Sequence, residues 1–412
     1  MKNNVLWVSL RAPYDTVAHA SGKIHNFYLK KLQNSKKFNI KLITFFNDDE
    51  AEKLDFEKYG IDTIAINATR VENDISFLIK VINVAYHVCG RNKYLDLITR
   101  KLNMMAIEKI KQLKVENNYY PDVIILQWTQ IITLLPTMKK IFPKTKIVVI
   151  EEDVTFLAVT RRIELSSSNV KKIYHKLEEI SVKRIERKCL SNANLVILNN
   201  NKDLDLIIEN GIQCTSWVWS PYFQNMLNAK RNRCNKDIVY YGAMSRPENW
   251  KSTIWFIENV LGHIKDEDVR LLIIGNKPNE ELLKYDDGKK ILVVGFVENI
   301  EPYFSTSLCL VAPLVLGAGI KIKVLEALSS GIPVLTNEIG IEGIPAQDKK
   351  EFLFCSQPEE YVRAIKFLID NQKEADKIEI CAKKFINENY NCEADAIELA
   401  DRILSLLTED NN

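Results

Sequence analysis

The sequence contains no uninterrupted apolar run that approaches the length of a membrane-spanning helix, about 18 residues. Its eight cysteines are scattered without a C-x-x-C pair, so neither a zinc site nor a disulfide framework is expected. The chain also lacks a large excess of charge of one sign, because it contains 56 Lys and Arg and 54 Asp and Glu. This balance argues against a nucleic-acid partner. The first apolar run, residues 5–10, is too short for a signal peptide. These absences predict a cytoplasmic protein in a reducing compartment.

Two folded domains are expected from the length, because 412 residues exceed the roughly 250–300 that one hydrophobic core usually holds. Short apolar runs alternate with longer amphipathic stretches, which is typical of a parallel sheet wrapped by helices. Polar and basic residues cluster at 225–236, and we interpret this segment as the interdomain linker. The sequence therefore predicts two α/β domains, residues 1–224 and 237–389, each a doubly wound parallel sheet.

The alternation assigns a strand to each short apolar run. In the first domain the predicted strands are 5–10, 40–46, 63–66, 123–128, 146–151, 195–199 and 217–219, and the predicted helices are 21–35, 74–89, 95–117, 130–140 and 170–190. In the second domain the predicted strands are 238–241, 269–274, 291–294, 308–311, 333–336 and 352–354, each followed by a helix. No short internal repeat or low-complexity segment is present.

Residues 313–336 carry the most specific pattern in the chain. They place a strand end, a glycine turn, a helix start and a second strand in that order. Gly317 and Gly319 permit positive φ and close backbone approach. A helix that opens near Ile320 turns free N–H groups and the positive end of its dipole toward an anion.

Charged side chains complete this pattern. Lys321 and Lys323 add two positive charges at the helix start, and Glu326 is placed to accept hydrogen bonds from a ribose diol. A second glycine turn, residues 337–343, follows the next strand, and ligands of open α/β sheets bind at such carboxyl ends. The pattern predicts a site for a nucleotide diphosphate. The alternative is a buried crossover with solvated lysines.

The segment resembles the donor-site signature of retaining nucleotide-sugar glycosyltransferases with the GT-B fold, the glycosyl transferases group 1. Family members carry Glu, seven residues and Glu; Glu326 matches the second, and Ala318 occupies the first position. A subset has Gly-x-Gly-x-(Arg/Lys)-x-Lys instead, which residues 317–323 resemble. The resemblance is strong over 237–345. It implies two Rossmann-like domains facing a central cleft, with a terminal helix, 390–408, packed back on the first domain.

The resemblance also implies roles for individual residues. The two lysines stabilise the leaving diphosphate, and loops at successive strand ends hold the phosphates, the base and the sugar. For the loop after the strand 238–241, the alternative is a helix cap formed by Asn249. For Glu342, the alternative to a role in donor binding is that of an acid in a surface turn. The residues implied in donor binding are Ser21, Gly22, Gly242, Ser245, Arg246, Gly275, Val297, Gly317, Gly319, Ile320, Glu326 and Glu342.

Two segments of the first domain supply further candidates. Ser21 and Gly22 follow the first strand, where Ser21 is placed to cap a helix and Gly22 to approach the donor; a plain turn is the alternative. His19 is a weaker candidate for the cleft. The acids at 151–153 end an apolar strand, where like charges raise one another's pKa. Glu152 and Asp153 are therefore candidates for activating the acceptor or binding sugar hydroxyls, the alternative being a salt-bridged rim.

The helix 170–190 is rich in Lys and Arg, so it is a candidate for contact with anionic lipid at the inner face of the membrane. A solvated face with ion pairs is the alternative.

The resemblance implies transfer of a sugar from a nucleotide-diphosphate sugar to a hydroxyl of a glycan or lipid-linked acceptor in cell-surface polysaccharide biosynthesis. No cofactor and no metal are expected, because no Asp-x-Asp motif follows a suitable strand. Two alternatives remain. One is a nucleotide-sugar 2-epimerase, disfavoured by the five histidines, and the other is a non-catalytic partner subunit of the same fold, favoured by Ala318.

Overall fold

The structure is a computed structural model that describes residues 2–17, 19–73, 77–88, 93–164, 166, 168–265, 268–317 and 319–408. It divides the chain into two compact units. The first unit comprises Met1–Ser220 and Cys392–Asn412, and the second comprises Pro221–Asn391. The chain therefore passes between the units twice.

Each unit is built on one parallel sheet, numbered here in chain order. The described strands of the first unit are β1 (Asn3–Ser9), β2 (Phe38–Phe46), β3 (Asp62–Asn67), β4 (Val123–Gln127), β5 (Lys146–Glu151), β6 (Leu195–Leu198) and β7 (Ser216–Val218). Those of the second unit are β8 (Asp237–Tyr241), β9 (Arg270–Ile274), β10 (Ile291–Gly295), β11 (Cys309–Ala312), β12 (Val334–Thr336) and β13 (Leu353–Phe354). Every predicted strand is present.

The two sheets have the same winding. Within the described residues the first runs β3-β2-β1-β4-β5-β6-β7 and the second β10-β9-β8-β11-β12-β13, with parallel pairing throughout. Both orders reverse direction once, between β1 and β4 and between β8 and β11. Because ligands of such sheets bind outside the carboxyl ends of the strands at this reversal, each unit has one preferred binding position.

Helices connect the strands. The described α-helices are α1 (Ala20–Asn34), α2 (Thr69–Asn73), α3 (Phe77–Val88), α4 (Leu97–Glu116), α5 (Thr129–Ile132), α6 (Leu135–Ile141), α7 (Thr155–Glu164), α8 (Asn169–Leu190), α9 (Asn201–Glu209), α10 (Pro247–Asn259), α11 (Glu280–Leu283), α12 (Glu301–Thr306), α13 (Ile322–Ser330), α14 (Pro358–Asp370), α15 (Gln372–Asn389) and α16 (Cys392–Thr408). Short 3-10 helices occupy Asp48–Lys53, Phe56–Tyr59 and Leu261–His263.

Several elements differ from those predicted. The helix predicted after the strand 333–336 is absent from the described residues, because residues 337–352 form turns and one isolated bridge before β13. The single helix predicted at 130–140 is two helices, α5 and α6, with Pro136 in the first turn of the second, where its missing N–H is tolerated. Helix α7 was not predicted. Of the helix predicted at 74–89, the structure shows Phe77–Val88, and residues 74–76 and 89 lie outside the described residues.

The linker prediction is wrong. Residues 225–236 belong to the second unit, where the Arg231 guanidinium donates to the carbonyl oxygens of Phe304 and, at 2.8 Å, Ser307. Lys383 binds the carbonyl of Ala229 at 2.6 Å. At least one of the basic side chains that suggested a solvated linker, Arg231, therefore forms hydrogen bonds within the second unit.

Helix α16 belongs to the first unit although it follows the second in sequence. It lies beside α1, with Lys31 paired to Glu393 at 2.5 Å and Lys37 to Asp401 at 2.6 Å. Asp395 accepts a hydrogen bond from the backbone N–H of Ser220 at 2.6 Å. This bond ties the end of the first unit's main segment to the returning helix.

Candidate active site

The reversal point of the second sheet is bordered by the loop after β8, residues 242–246, and the loop after β11, residues 313–321. Helix α10 braces both loops, because the Ser252 hydroxyl accepts from the backbone N–H of Val315 at 3.0 Å. Asn249 donates to the carbonyl of Ala243 at 2.9 Å. The two loops that the sequence assigned to phosphate binding are thus held at one place by one helix.

Backbone packing explains a glycine at this edge. A Cβ atom built on Gly275, at the end of β9, would lie 1.6 Å from the carbonyl oxygen of Gly242. The Gly275 N–H donates to Gly295 at 2.7 Å. The ends of β8, β9 and β10 therefore meet backbone to backbone, and a side chain at position 275 would not fit between them.

Lys321 lies immediately before α13 and has an acidic partner. Its ammonium lies 3.5 Å from a Glu342 carboxylate oxygen and donates to the carbonyl of Gly319. The Lys321 side chain is 11% exposed and that of Glu342 is 5% exposed. Glu342 is thus the buried partner of a lysine and not the exposed acid of a surface turn.

Lys323 has a neutral partner instead. Its amine donates to the Asn249 side-chain oxygen at 2.8 Å and lies 4.8 Å from the centre of the Tyr240 ring. Burial, and then the neighbouring Lys321, lowers the pKa of Lys323 to about 7. The two lysines are two residues apart, yet one is held as half of an ion pair and the other by an amide.

The start of α13 has the electrostatic character of an anion site. Among the described residues no side chain caps this end, so its first N–H groups are left to other acceptors. The other end stops at Gly331, whose φ of 81° is the left-handed conformation typical of a helix terminus.

Glu326 lies on the buried side of α13, with 2% exposure. One carboxylate oxygen accepts a hydrogen bond from the backbone N–H of Gln224 at 3.4 Å. Burial, and then the charge of the Glu326 carboxylate, raises the pKa of the Tyr241 hydroxyl. A ribose at this position would meet Glu326 beside the loop after β8.

The remaining donor candidates lie around the same carboxyl edge. Ser245 and Arg246 are exposed at the start of α10, with Arg246 paired to Glu248 at 2.5 Å. Val297 follows β10, and Gly317, Gly319 and Ile320 lie in the loop before α13. Ala318 lies outside the described residues. No observation tests the binding roles of these residues, which stay predictions.

In the first unit the corresponding position lies between the loops after β1 and β4. His19, not Ser21, is the N-cap of α1: its Nδ1 accepts from the Gly22 N–H at 2.9 Å, and Ser21 is already helical. A Cβ on Gly22 would lie 2.5 Å from the side chains of both His19 and Val17. Close packing alone thus accounts for this glycine.

Trp128, directly after β4, was missed by the sequence analysis. It has a φ of 80°, which is rare for a bulky residue, and its ring lies 6.1 Å from that of His19. Backbone strain of this kind often marks functional sites. The residue type gives no signal of it.

Glu152 is 5% exposed and fully engaged. Its carboxylate accepts from the Gln127 amide at 2.6 Å and from the Asn199 amide at 3.2 Å. Burial raises the pKa of the Glu152 carboxyl to about 7, while these two hydrogen bonds lower it. Asp153, by contrast, is exposed. Of the two acceptor candidates, only Asp153 therefore reaches solvent without rearrangement.

Glu151 points away from the Glu152 network. It is 1% exposed and accepts from the Thr129 hydroxyl at 2.6 Å. Burial and then the nearby Glu186 raise its pKa well above the usual value. Glu186 caps the start of α7 through the N–H of Thr155 at 2.8 Å.

In the part of the chain that the structure describes, no group of three or more His, Cys, Asp or Glu side chains is arranged to hold a metal ion. Every described helix is too short or too polar to cross a bilayer.

The geometry defines a class of protein: an α/β chain of two Rossmann-like units, with a lysine-bearing glycine loop at the reversal point of the second. Residues 235–371 match the family model described as glycosyl transferases group 1. Over that range the chain is similar to the glycosyl transferases group 1, the family that the resemblance indicated.

Known proteins share the whole fold. Sucrose-phosphate synthase from Thermosynechococcus elongatus superimposes with a TM-score of 0.72 over 99% of this chain and 100% of that chain, at 11% identity. HepE of Anabaena, solved with UDP and glucose, gives a TM-score of 0.64 over 98% and 100%, at 12% identity. The predicted GT-B fold is confirmed.

A curated relative is described as an uncharacterized 44.6 kDa protein in the cps region of Klebsiella pneumoniae. It is 25% identical over 235 residues, which is 55% of this chain and 60% of that protein. The match therefore spans less than two thirds of the relative's length.

Proposed function

We propose that the chain is a retaining, metal-independent glycosyltransferase. It moves a sugar from a nucleotide-diphosphate sugar to a hydroxyl of a glycan or lipid-linked acceptor in cell-surface polysaccharide biosynthesis. One observation carries this proposal: two lysine amines and the uncapped start of α13 lie at the reversal point of the second sheet. Three positive groups at that position suit a diphosphate.

The comparisons support the proposal at three levels. The group 1 family model matches residues 235–371, which lie within the second unit. HepE, which has the same fold, is solved with UDP and glucose, and this supports a nucleotide-sugar donor. The relative from a cps region supports polysaccharide biosynthesis as the setting.

In the proposed reaction the bond between the anomeric carbon and the nucleoside diphosphate breaks while the acceptor hydroxyl attacks from the same face. The proton of that hydroxyl passes to the departing diphosphate. The charge that develops on the diphosphate is stabilised by Lys321, Lys323 and the N–H groups at the start of α13. Glu326 binds the ribose. Asp153 is the more accessible candidate for contact with the acceptor, because Glu152 is buried in hydrogen bonds.

Ligand binding followed by turnover tests the proposal. Thermal stability is measured with UDP, GDP, ADP and dTDP, and one nucleotide should raise the melting temperature well above the others by mass action. The corresponding nucleotide sugars are then incubated with and without acceptor glycans. Acceptor-dependent release of the diphosphate is expected. Conversion of a UDP-sugar without acceptor would identify an epimerase, and binding of no nucleotide would identify a non-catalytic subunit.

We also propose that the first unit docks on an anionic membrane through α8. Val170, Ile173 and Ile180 on this helix are 76%, 62% and 57% exposed. Lys176 and Arg184 on the same helix are also exposed. Successive members of this set of five are three or four residues apart, so all five lie along one face of α8. Apolar residues interspersed with basic ones suit a surface of anionic lipid headgroups.

The acids of α8 lie off this stripe. Glu178 pairs with Arg162 at 3.3 Å, Glu179 pairs with Lys183 at 3.0 Å, and Glu186 is buried. Helix α3, which adjoins α8 through His87 and Tyr174, adds exposed apolar side chains. These are Val81, Ile82 and Val84.

Vesicle cosedimentation tests this surface. The protein should bind vesicles containing phosphatidylglycerol and release them at high salt, and it should not bind pure phosphatidylcholine. Ile173→Asp with Ile180→Asp should weaken binding about tenfold or more. The matched control is Ile208→Asp, an equally exposed isoleucine on α9. Equal binding by the double variant and the control would reject α8 as the contact.

A further inference from the structure

Asn249, on α10, connects the loop after β8 with Lys323 of α13. Its side-chain nitrogen donates to the Ala243 carbonyl at 2.9 Å, and its oxygen accepts from the Lys323 amine at 2.8 Å. A Cβ on Gly242 would lie 3.0 Å from the Asn249 amide atoms, so the loop after β8 is moulded to this side chain. Asn249 itself is 8% exposed.

The direction of the Asn249 amide is fixed by its partners. A carbonyl oxygen only accepts, so the NH2 group must face Ala243, and the oxygen must then face Lys323. Its backbone is held as well, because the Asn249 carbonyl accepts from Thr253 at 2.9 Å. Asn249 is thus a rigid acceptor aimed at the amine of Lys323.

Among the described residues, the charged groups around Lys323 leave it without a dedicated counter-ion. Glu248 of α10 is 2.5 Å from Arg246, and Glu342 of the loop after β12 is 3.5 Å from Lys321. Strand β8 contributes the Tyr240 ring, which carries no charge. In such surroundings an amine binds its proton weakly until an anion arrives.

We propose that Asn249 is the residue that positions Lys323 for the leaving diphosphate, and that the nucleoside diphosphate binds together with one proton taken up by Lys323. This inference rests on the proposed donor site. The amide keeps Lys323 in place whether its amine is neutral or charged, and the diphosphate supplies the negative charge that the site lacks. No covalent step is involved.

Calorimetry in two buffers of different ionisation heat counts the protons taken up on binding. UDP, GDP, ADP and dTDP are titrated in turn, and the one that binds is used throughout. With the pKa of Lys323 at about 7, uptake at pH 8 should approach one proton per diphosphate, and it should be much smaller at pH 6. Lys323→Met should abolish the uptake at pH 8.

Two substitutions of Asn249 separate positioning from general structure. Asn249→Ala should weaken diphosphate binding about tenfold or more, as expected for a lost hydrogen bond to a charged group. Asn249→Asp supplies a carboxylate that protonates Lys323 beforehand, so proton uptake at pH 8 should disappear. The control is Asn259→Ala on the same helix. The Asn259 side chain donates to the Trp255 carbonyl at 2.8 Å, away from Lys323, so this change should alter neither quantity.

The outcomes are distinguishable. If the wild-type protein binds no nucleoside diphosphate, the proposed donor site itself fails. If it binds one, but proton uptake persists in Lys323→Met or is unchanged in Asn249→Asp, the inference is overturned and the donor site stands. Far-UV circular dichroism confirms that each variant is folded, and Asn249→Asp, which is nearly isosteric, serves if Asn249→Ala does not fold.

Discussion

Replacement of Glu152 by Gln tests whether this acid is structural. In the first unit, the Trp7 indole donates to Gln127 at 2.9 Å and the Trp219 indole donates to Asn199 at 2.8 Å. An indole N–H only donates, so each amide must turn its oxygen toward the tryptophan and its NH2 group toward Glu152. Glu152 consequently meets donors on both sides and must accept with both oxygens.

The magnitude follows from this polarity. In Glu152→Gln an NH2 group faces an NH2 group, and one buried donor loses its acceptor, which costs about 1–3 kcal/mol. The pH dependence of the wild-type stability opposes this cost. Because the pKa of about 7 in the folded protein exceeds the usual value of 4.5, the stability that this group adds to the wild-type protein is complete below pH 4.5 and is lost as the pH rises through 7, by about 3 kcal/mol in all.

The variant should therefore be less stable than wild type at pH 6, with the deficit shrinking or reversing at pH 8.5. Urea unfolding followed by far-UV circular dichroism measures both, supported by hydrogen exchange in β4 and β5. A double-mutant cycle then isolates the polarity. Trp7→Phe frees the Gln127 amide to flip, so that its oxygen can accept from the amide that Glu152→Gln introduces. The double variant should therefore be more stable, by about 1 kcal/mol or more, than the sum of the two single changes in unfolding free energy predicts.

Trp255→Phe, in the second unit, is the matched control and should combine additively with Glu152→Gln. Additive behaviour of Trp7→Phe as well would show that the tryptophan does not fix the amide direction. A stability deficit that stays constant from pH 6 to 8.5 would contradict the raised pKa. Loss of transfer in a fully stable Glu152→Gln protein would return Glu152 to the catalytic candidates.

Two further predictions concern the donor site. Lys321→Ala and Lys323→Ala should each lower turnover by two to three orders of magnitude, since each removes a positive charge from the transition state; near-normal transfer by the double variant would refute the mechanism. Glu326→Ala should raise the KM for the nucleotide sugar about tenfold or more with little change in kcat, as expected for uniform ribose binding. A fall in kcat at constant KM would place Glu326 in the chemical step instead.

The fold was predictable because parallel strands covered on both faces read as continuous apolar runs. Runs such as 123–128 and 146–151 are unambiguous for that reason. The linker was misread because composition does not show tertiary partners: the Arg231 guanidinium is bound by carbonyls 73 and 76 residues away.

The site was predictable where its determinants are local. The lysines, the glycines and the helix stop lie within 313–336, so the sequence alone orders them. Asn249 was considered only as a helix cap, because its partner Lys323 is 74 residues away. Ser21 was preferred to His19 as the cap of α1 because hydroxyls are the commoner capping groups.

The different partners of the two lysines follow from electrostatics. Two ammonium groups two residues apart repel each other in a partly dry site, and the empty protein must reduce that repulsion. Lys321 does so by pairing with Glu342, and Lys323 does so through a lowered pKa beside a neutral amide. A diphosphate would reverse both conditions, because it competes with Glu342 for Lys321 and restores the proton on Lys323. A site built in this way carries little excess charge when empty and its full positive charge when the leaving group is present.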